Sequence, residues 1–245
     1  YLKEKQGQLY IDHTRGLYNV LERIKNKYPQ LPMMLCSGGG GRCDYEALKY
    51  FTEFWCSDNT DPYERLYIQW SMSKFFPVKA MAAHVTHWNK QVDLKFAVDV
   101  ASMCKLGFDI DYSKLSDEDK EFCRLALVNY KRIKSTILDG NQYRLVSPYE
   151  SNHAAVAYVN AEQNHAVLFA YDLHPRYQEP VAKVKLQGLA ADKKYQLKEI
   201  NLKQAKSSLN FDGKVYSGDF LMKVGLDILS YQDGVSHVVE LIAVQ

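Results

Sequence analysis

Residues 33–42, MMLCSGGGGR, place four consecutive glycines directly after a short apolar run. The apolar run is typical of a buried strand, and each glycine that follows it costs backbone entropy on folding. Glycine lets a backbone approach a ligand closely or adopt conformations that a Cβ atom forbids. Parallel barrels carry their active sites on the loops at the C-terminal ends of their strands. We therefore interpret this segment as a candidate binding loop, with a flexible turn as the alternative.

The first 140 residues alternate helical patterns with short apolar runs. Apolar residues at helical spacing predict a helix that Pro29 ends, and both Asp61-Pro62 and Ser116 are typical of helix starts. Strand followed by helix, repeated, predicts a parallel α/β architecture. The predicted strands span 33–36, 54–57 and 79–85, and the predicted helical segments include 44–51, 93–104 and 116–140.

The pattern changes after Tyr143, where six strand-like segments follow one another without helical spacing between them. Turn residues such as Asp212-Gly213 separate them, so we predict a small antiparallel β domain, a sandwich. The two predicted domains are residues 1–141 and 142–245. The predicted strands of the second domain are 154–159, 166–171, 181–186, 195–200, 220–226 and 238–244.

Composition excludes several classes of function. The chain has 245 residues, of which 47% are apolar, and a formal net charge of +2. It has no basic run interleaved with aromatic residues, so it gives no case for nucleic-acid binding, and no apolar stretch long enough to cross a membrane. The five cysteines follow no disulfide or zinc spacing. We expect no metal and no cofactor.

One interpretation of the glycine loop rests on Cys36 and Arg42, which have the Cys-x5-Arg spacing of cysteine-dependent phosphatases. In those enzymes a thiolate attacks phosphorus while Arg and backbone N–H groups hold the phosphate. That motif usually has His before the Cys and Ser or Thr after the Arg. Leu35 and Cys43 occupy these places here, so the spacing alone is weak support for this chemistry.

A second interpretation takes the loop together with the segments that follow it, because their order and spacing resemble glycoside hydrolase family 36 α-galactosidases. The segments are CSGGGGRCD at 36–44, WCSDNTD at 55–61 and RLYIQ at 65–69. Further matches occur at Pro77, Met81, His84-Val85, Asn89, Gln91, Tyr130-Lys131, Tyr143-Arg144-Leu145 and Ser217-Gly218. The resemblance covers almost the whole chain.

The resemblance implies an α/β fold, the second half of a (β/α)8 TIM barrel followed by a C-terminal antiparallel β-sandwich. It also implies that the chain hydrolyses terminal α-galactosides with retention, and that the substrate is an α-galactoside oligosaccharide. Asp58 would be the general acid/base. Cys36, Ser37 and Gly39 would shape the galactose pocket together with Trp55. A retaining glycosidase needs two carboxyl groups about 5 Å apart, one as nucleophile and one as acid/base.

The chain departs from the family in one respect that bears on activity. The family's nucleophile is an Asp in a Lys-Trp-Asp motif, which this sequence lacks; the only Asp residues before Asp58 are Asp12 and Asp44. We expect the motif just upstream of Tyr1, and the rest of the barrel and an N-terminal β domain from the same polypeptide or another chain. We also expect a homo-oligomer. The alternative is an inactive structural or carbohydrate-binding fragment that lacks the nucleophile.

Overall fold

A computed structural model describes residues 3–86, 92–204 and 206–244. Within these ranges a parallel sheet of four strands occupies the first half of the chain, in the order β1-β2-β3-β4. The strands are β1 (Met34–Leu35), β2 (Glu53–Trp55), β3 (Met81–Thr86) and β4 (Lys105–Asp109). Sequential neighbours in a parallel sheet are the arrangement of a barrel wall, and four strands are half of an eight-stranded barrel.

Helices connect these strands, and polar side chains begin three of them. Asp61 accepts hydrogen bonds from two backbone N–H groups, and Asp93 and Ser116 each accept one. Such caps satisfy N–H groups that have no partner inside the helix. The capped starts at Asp61 and Ser116 confirm the sequence prediction. The helices are α1 (Leu9–Lys27), α2 (Pro62–Met72), α3 (Leu94–Ser102) and α4 (Asp117–Asp139).

The predicted helical segment at 44–51 is wrong. Only a short 3-10 turn forms there, at Ala47–Lys49. The carboxylate of Asp44 accepts hydrogen bonds from the Ala47 N–H and from the Tyr18 hydroxyl of α1. These contacts hold a turn against α1 instead of extending a helix. The sequence matches at Asn89 and Gln91 lie outside the described residues.

The second half of the described chain contains one six-stranded antiparallel sheet, in the order β5-β6-β7-β10-β8-β9. Helix α4 ends at Asp139 and β5 follows at once, so the chain passes from the barrel half to the β domain without a linker. The strands are β5 (Asn141–Val146), β6 (His153–Val159), β7 (His165–Asp172), β8 (Lys194–Ile200), β9 (Val215–Ser217) and β10 (Val235–Val244). A parallel barrel half followed by an antiparallel β domain confirms the predicted fold class.

Two of the predicted strands in this domain are not strands of the sheet. The segment 181–186 makes a single antiparallel bridge, between Val184 and Leu226. The segment 220–226 begins in a helix, α5 (Gly218–Lys223), which Ser217 caps by accepting from the Phe220 N–H. The alternation of apolar residues did not distinguish these cases, because short apolar runs fit either a strand or a buried helix.

The six-stranded sheet is buried on both faces, and alternate residues of its central strands belong to two different cores. In β6, Val156 and Tyr158 face a core shared with α3 and α4, whereas Ala155 and Ala157 face the opposite core. The opposite core is closed by α5 and by the layer that contains the Val184 bridge. The β domain therefore packs directly on the outer helices of the barrel half.

A buried carboxylate joins the two halves at this interface. Asp99 of α3 is fully buried and accepts hydrogen bonds from Lys95 at 2.6 Å, Asn201 at 2.8 Å and Ser236 at 2.7 Å. The hydroxyl of Tyr171 donates to the Asp99 backbone carbonyl at 3.0 Å. Buried charges are tolerated when they are paired and hydrogen-bonded, so this cluster fixes α3 against β10 and the loop after β8.

A second buried carboxylate, Glu240 of β10, binds α4. It accepts from Arg132 at 2.6 Å and from His165 at 2.8 Å. Burial alone would raise the pKa of Glu240, but the hydrogen bonds and charges of His165 and Arg132 outweigh it and hold the pKa at about 2. The ionised form is thus favoured in the folded protein.

We expect Glu240→Gln to lower the free energy of unfolding by about 2 kcal/mol, since hydrogen bonds to a charged group are worth about that much. The ordinary pKa of 4.5 is lowered to about 2 on folding, so this stabilisation is present above pH 4.5 and is lost as pH falls towards 2. Urea unfolding at several pH values measures it. Glu121→Gln removes the exposed pair with Arg124 and should change little; equal effects of the two variants would contradict the prediction.

Candidate active site

The glycine loop after β1 forms a compact turn. Gly38 and Gly39 have positive φ values of 55° and 72°, a conformation that side chains disfavour. The Ser37 N–H donates to the Gly39 carbonyl at 3.1 Å, and the Cys43 N–H donates to the Gly40 carbonyl at 3.0 Å. The glycines therefore adopt a specific, hydrogen-bonded backbone conformation, which accounts for their presence without a flexible turn.

The same loop lies directly against the chain that leaves β2. The Gly40 N–H donates to the Cys56 carbonyl at 3.1 Å. A Cβ atom at Gly39 would lie 2.7 Å from the Cα of Ser57 and 3.1 Å from the Asp58 nitrogen. Real side chains do not fit at such distances, so glycine at this position allows the binding loop to contact the candidate acid/base segment.

Asp58 lies just beyond the C-terminal end of β2, and its side chain is held by Trp55. The indole N–H of Trp55 donates to Asp58 Oδ1 at 3.0 Å. The turn that follows is fixed by the Ser57 hydroxyl, which accepts from the Asn59 N–H at 3.1 Å, and by the capping role of Asp61. Asp58 is exposed and Trp55 is half-buried, so the carboxyl group is accessible while its orientation is set from within the protein.

A buried arginine lies beneath this segment. Arg65 of α2 is 2% exposed, and its guanidinium donates to the Ser57 carbonyl at 3.2 Å and to the Ala82 carbonyl of β3 at 2.8 Å. Its central carbon lies 5.2 Å from the centre of the Trp55 ring, within the range of a cation–π contact. Burial lowers the pKa of Arg65. Arg65 thus connects α2, the end of β2 and β3.

The imidazole of His84 is also in contact with Trp55. The two ring centres are 4.7 Å apart, with the ring planes tilted by 55°. Burial, the largest influence, lowers the pKa of His84, with the charge of Asp109 opposing it. Gly107 of β4 leaves room for this ring, since a Cβ atom there would lie 2.4 Å from it. The sequence motifs alone gave no role to Arg65 or His84. Two features of the sequence could have indicated one: Arg65 is a charged residue on the apolar face of α2, and His84 lies on a strand.

The geometry gives little support to phosphatase chemistry at Cys36 and Arg42. Both side chains are exposed. The backbone N–H groups of Ser37, Gly40 and Cys43 donate to carbonyl groups of the protein, whereas a phosphate cradle requires such groups to converge on the ligand.

The structure brings Gly39, Ser57, Trp55 and Asp58 together, but it does not add a second carboxyl group from the candidates upstream. Asp44 accepts from the hydroxyl of Tyr18 at 2.6 Å, and its carboxylate fixes a turn against α1. Asp12 lies on α1, where the Gln8 amide donates to it at 3.3 Å. The described hydrogen bonds of both carboxylates are to α1 and to the turn at Ala47.

Two further properties concern only the part of the chain that the structure describes. None of its helices combines the length and the apolar character that a membrane span requires. Among the same residues, no cluster of three or more His, Cys, Asp or Glu side chains could hold a metal ion.

Comparison with known families identifies the chain. Residues 1–140 match the family model described as Melibiase, and residues 153–241 match that of the glycosyl hydrolase family 36 C-terminal domain. The chain belongs to the melibiase family, glycoside hydrolase family 36. The two matches fall on the barrel half and on the β domain of the chain.

Curated relatives of the chain include α-galactosidases. Alpha-galactosidase 1 of Pediococcus pentosaceus is 35% identical over 242 residues, which are 96% of this chain and 31% of the relative. Alpha-galactosidase AgaA of Geobacillus stearothermophilus is 33% identical over 249 residues, 99% of this chain and 32% of the relative. The chain therefore spans about a third of the length of the relatives that it matches.

Solved structures of the family superpose on the fold described above. A variant of the Geobacillus stearothermophilus enzyme AgaA in complex with raffinose has a TM-score of 0.88 at 30% identity, over 100% of this chain and 33% of that one. The galactosidase domain of the α-galactosidase–sucrose kinase AgaSK has a TM-score of 0.86 at 32% identity, over 97% of this chain and 32% of that one. Both halves of the chain thus have the family's fold.

Gly39→Ala tests the close contact between the glycine loop and the end of β2. We expect it to destabilise the protein by about 2 kcal/mol more than Gly38→Ala, because overpacking against a rigid backbone adds to the strain of a positive φ. Gly38 is the matched control, since its φ is 55° and a Cβ atom there meets nothing within 4 Å. Chemical unfolding of both variants measures the difference, and equal destabilisation would contradict the described contact.

Proposed function

We propose that this chain supplies the acid/base and the glycine-loop wall of a retaining α-galactosidase active site, with Asp58 as the general acid/base. The observation that carries the proposal is the position of Asp58, beyond a strand end, held by the Trp55 N–H at 3.0 Å and in backbone contact with Gly39. Active sites of parallel barrels occur at this end of their strands. Membership of the melibiase family supports the same assignment.

The proposed chemistry explains why an accessible but oriented carboxyl group is needed. In the first step a nucleophilic carboxylate attacks the anomeric carbon, and Asp58 gives its proton to the oxygen that leaves. In the second step Asp58, now a carboxylate, takes a proton from the water that displaces the enzyme from the sugar. The indole contact engages Oδ1 of Asp58 and leaves the second oxygen for proton transfer.

The nucleophile in this proposal comes from the remainder of the barrel, in the same polypeptide or in another chain. Asp44 is engaged with Tyr18 and Ala47, and Asp12 lies on α1. An N-terminal β domain and assembly into a homo-oligomer belong to the same proposal. The exposed apolar side chains of α1, among them Leu9, Tyr10 and Ile11, are available for contacts with such neighbours.

The proposed substrates are terminal α-galactosides of oligosaccharides. Variants of a related enzyme, AgaA of Geobacillus stearothermophilus, have been solved in complex with raffinose and with stachyose. In this chain Cys36, Ser37 and Gly39 would border the galactose pocket, and Trp55 would contribute an aromatic wall. Sugar rings present both hydroxyl groups and apolar C–H faces, so backbone groups of a glycine loop beside an indole suit them.

The alternative is a structural or carbohydrate-binding role without catalysis, which would apply if no neighbouring carboxylate completes the site. The two functions differ in their dependence on Asp58. A binding role requires the pocket but not the proton donor, whereas hydrolysis requires both. Substitution of Asp58 in a protein that contains this chain together with a complete barrel therefore separates them.

We expect Asp58→Asn to reduce hydrolysis of natural α-galactosides by roughly 100- to 10,000-fold, which is the usual contribution of general acid–base catalysis. Aryl α-galactosides with good leaving groups should still form the glycosyl-enzyme, since they need the proton least. Azide, which needs no base, should then restore turnover of the activated substrate. Steady-state kinetics with and without azide measure these effects. Natural substrates cleaved at the wild-type rate would refute the assignment.

Cys36→Ser tests whether the glycine loop forms a pocket wall or carries a nucleophile. We expect measurable α-galactosidase activity in this variant, because the exposed thiol forms no bond with the substrate in the proposed mechanism. Wild type and variant are compared with an aryl α-galactoside and an aryl phosphate as substrates. A phosphatase activity that is present in wild type and absent from Cys36→Ser would favour the phosphatase interpretation instead.

A further inference from the structure

We propose that Trp55 is a positioning residue for the Asp58 carboxyl group, acting through its indole N–H, and that the buried Arg65 holds Trp55 in place for this role. The inference rests on the proposed function, because it assigns to both residues a part in the acid/base step of Asp58. It goes beyond a role of Trp55 as a wall of the sugar pocket, since the N–H group and not the ring surface is the acting part.

The hydrogen bond from Trp55 selects one orientation of the acid. Its donor is an indole N–H, which cannot accept, so Oδ1 of Asp58 must act as the acceptor at 3.0 Å. When Asp58 is protonated, the proton therefore lies on the other oxygen, which is the one left for the leaving group. When Asp58 has given up that proton, the same N–H stabilises the negative charge that remains.

Trp55 can direct Asp58 only if its own ring is held, and Arg65 holds it. The guanidinium lies 5.2 Å from the ring centre and is fixed by donation to the carbonyl groups of Ser57 and Ala82. Gln69 of the same helix accepts from Arg65 Nε at 3.4 Å and donates to the Val100 carbonyl. Rotation of Trp55 would therefore break its contact with a guanidinium that is itself held in place by buried hydrogen bonds.

The charge of Arg65 is unusual for a residue that is 2% exposed. Within the described ranges its hydrogen bonds go to two backbone carbonyls and one amide oxygen, and no ion pair with a carboxylate is formed. Burying a charge without a counterion is costly. The contact with the face of the Trp55 ring is therefore one of the few interactions that compensate this buried charge, and it ties the position of the ring to that of the guanidinium.

The other titratable groups around this arrangement come from every element packed against it. His84 of β3 contacts Trp55, and burial lowers the pKa of His84, which favours its neutral form at neutral pH. The charge of Asp109, at the end of β4, raises the pKa of His84 and so opposes the effect of burial. Burial raises the pKa of the Cys56 thiol to about 11, which keeps it neutral. Glu53 of β2 acts on His84 in the same sense as Asp109, so Arg65 is the positively charged group among these side chains.

Trp55→Phe removes the N–H donor and keeps an aromatic ring, in a protein that contains this chain and a complete barrel. We expect kcat/KM for natural α-galactosides to fall by roughly tenfold, as for the loss of one hydrogen bond to a charged group. Loss of the donor disfavours the carboxylate form of Asp58. The alkaline limb of the kcat/KM profile should therefore move to higher pH. Aryl substrates with good leaving groups should lose less.

Trp70→Phe is the control, since Trp70 is a buried tryptophan of α2 that also has an arginine over its ring, with the central carbon of Arg144 6.0 Å from the ring centre. We expect its pH profile to coincide with that of wild type. A shift of equal size in Trp70→Phe would mean that loss of packing, not of the N–H donor, causes the effect, and it would overturn the proposal.

Arg65→Lys keeps the positive charge but removes the planar fork that contacts two carbonyl groups. We expect it to shift the alkaline limb in the same direction as Trp55→Phe, because Trp55 is then less well held. The double variant should show less than the sum of the two effects on the rate, since both act through one hydrogen bond. Additive effects in the double variant would overturn the role of Arg65.

Circular dichroism and the unfolding midpoint identify a variant that fails to fold. If Arg65→Lys does not fold, Trp55→Phe alone decides the role of Trp55.

The failure of this inference can be distinguished from the failure of the proposed function. If Asp58→Asn abolishes hydrolysis and azide restores it, but Trp55→Phe leaves both the pH profile and the ranking of substrates unchanged, Trp55 has no positioning role. If Asp58→Asn hydrolyses natural substrates at the wild-type rate, the assignment of Asp58 is wrong, and the inference is overturned with it.

Discussion

The contact between the glycine loop and the chain that leaves β2 is the constraint on which the candidate site depends. The Gly40 N–H donates to the Cys56 carbonyl, and the backbone of Gly39 lies so close to Ser57 that a Cβ atom would not fit between them. Two adjacent strand ends are thereby fixed at backbone contact distance, so the glycine loop and the segment that carries Asp58 form one unit. Each of the four glycines has a steric cause. Gly38 and Gly39 have a positive φ, and a Cβ atom at Gly39, Gly40 or Gly41 would lie less than 3 Å from backbone atoms.

The β domain packs against α3 and so supports the barrel half that carries this unit. Its sheet is buried on both faces, and one of its two cores is continuous with the helices of the barrel half. Asp99 lies inside this interface, where Lys95, Asn201 and Ser236 satisfy its oxygens. These three donors come from both halves of the chain. Loss of any one of them would leave the buried carboxylate incompletely hydrogen-bonded, which is costly. The relative position of α3 and the β domain is therefore specific, and not the result of apolar packing alone.

Much of the architecture could be predicted because it follows from local patterns. Asp61-Pro62 and Ser116 begin helices in the structure as predicted, since a helix start depends on neighbouring residues only. The segments 44–51, 181–186 and 220–226 were assigned wrongly. Their conformation depends on distant partners: Tyr18 bonds Asp44, and Val184 pairs with Leu226. Short apolar runs carry too little periodicity to distinguish a strand from a turn or a buried helix turn.

The sequence by itself determined the family, the order of parallel strands followed by an antiparallel domain, and the candidates Cys36, Ser37, Gly39, Trp55 and Asp58. These candidates could be identified without the structure, because their spacing is a property of the sequence alone. Only the tertiary structure decided that Trp55 donates to Asp58, and that Arg65 and His84 both contact its indole. Arg65 belongs to α2 and His84 to β3, and their meeting at Trp55 depends on the parallel register of β2 and β3, because the side chains at neighbouring strand ends come together only when the sheet has formed.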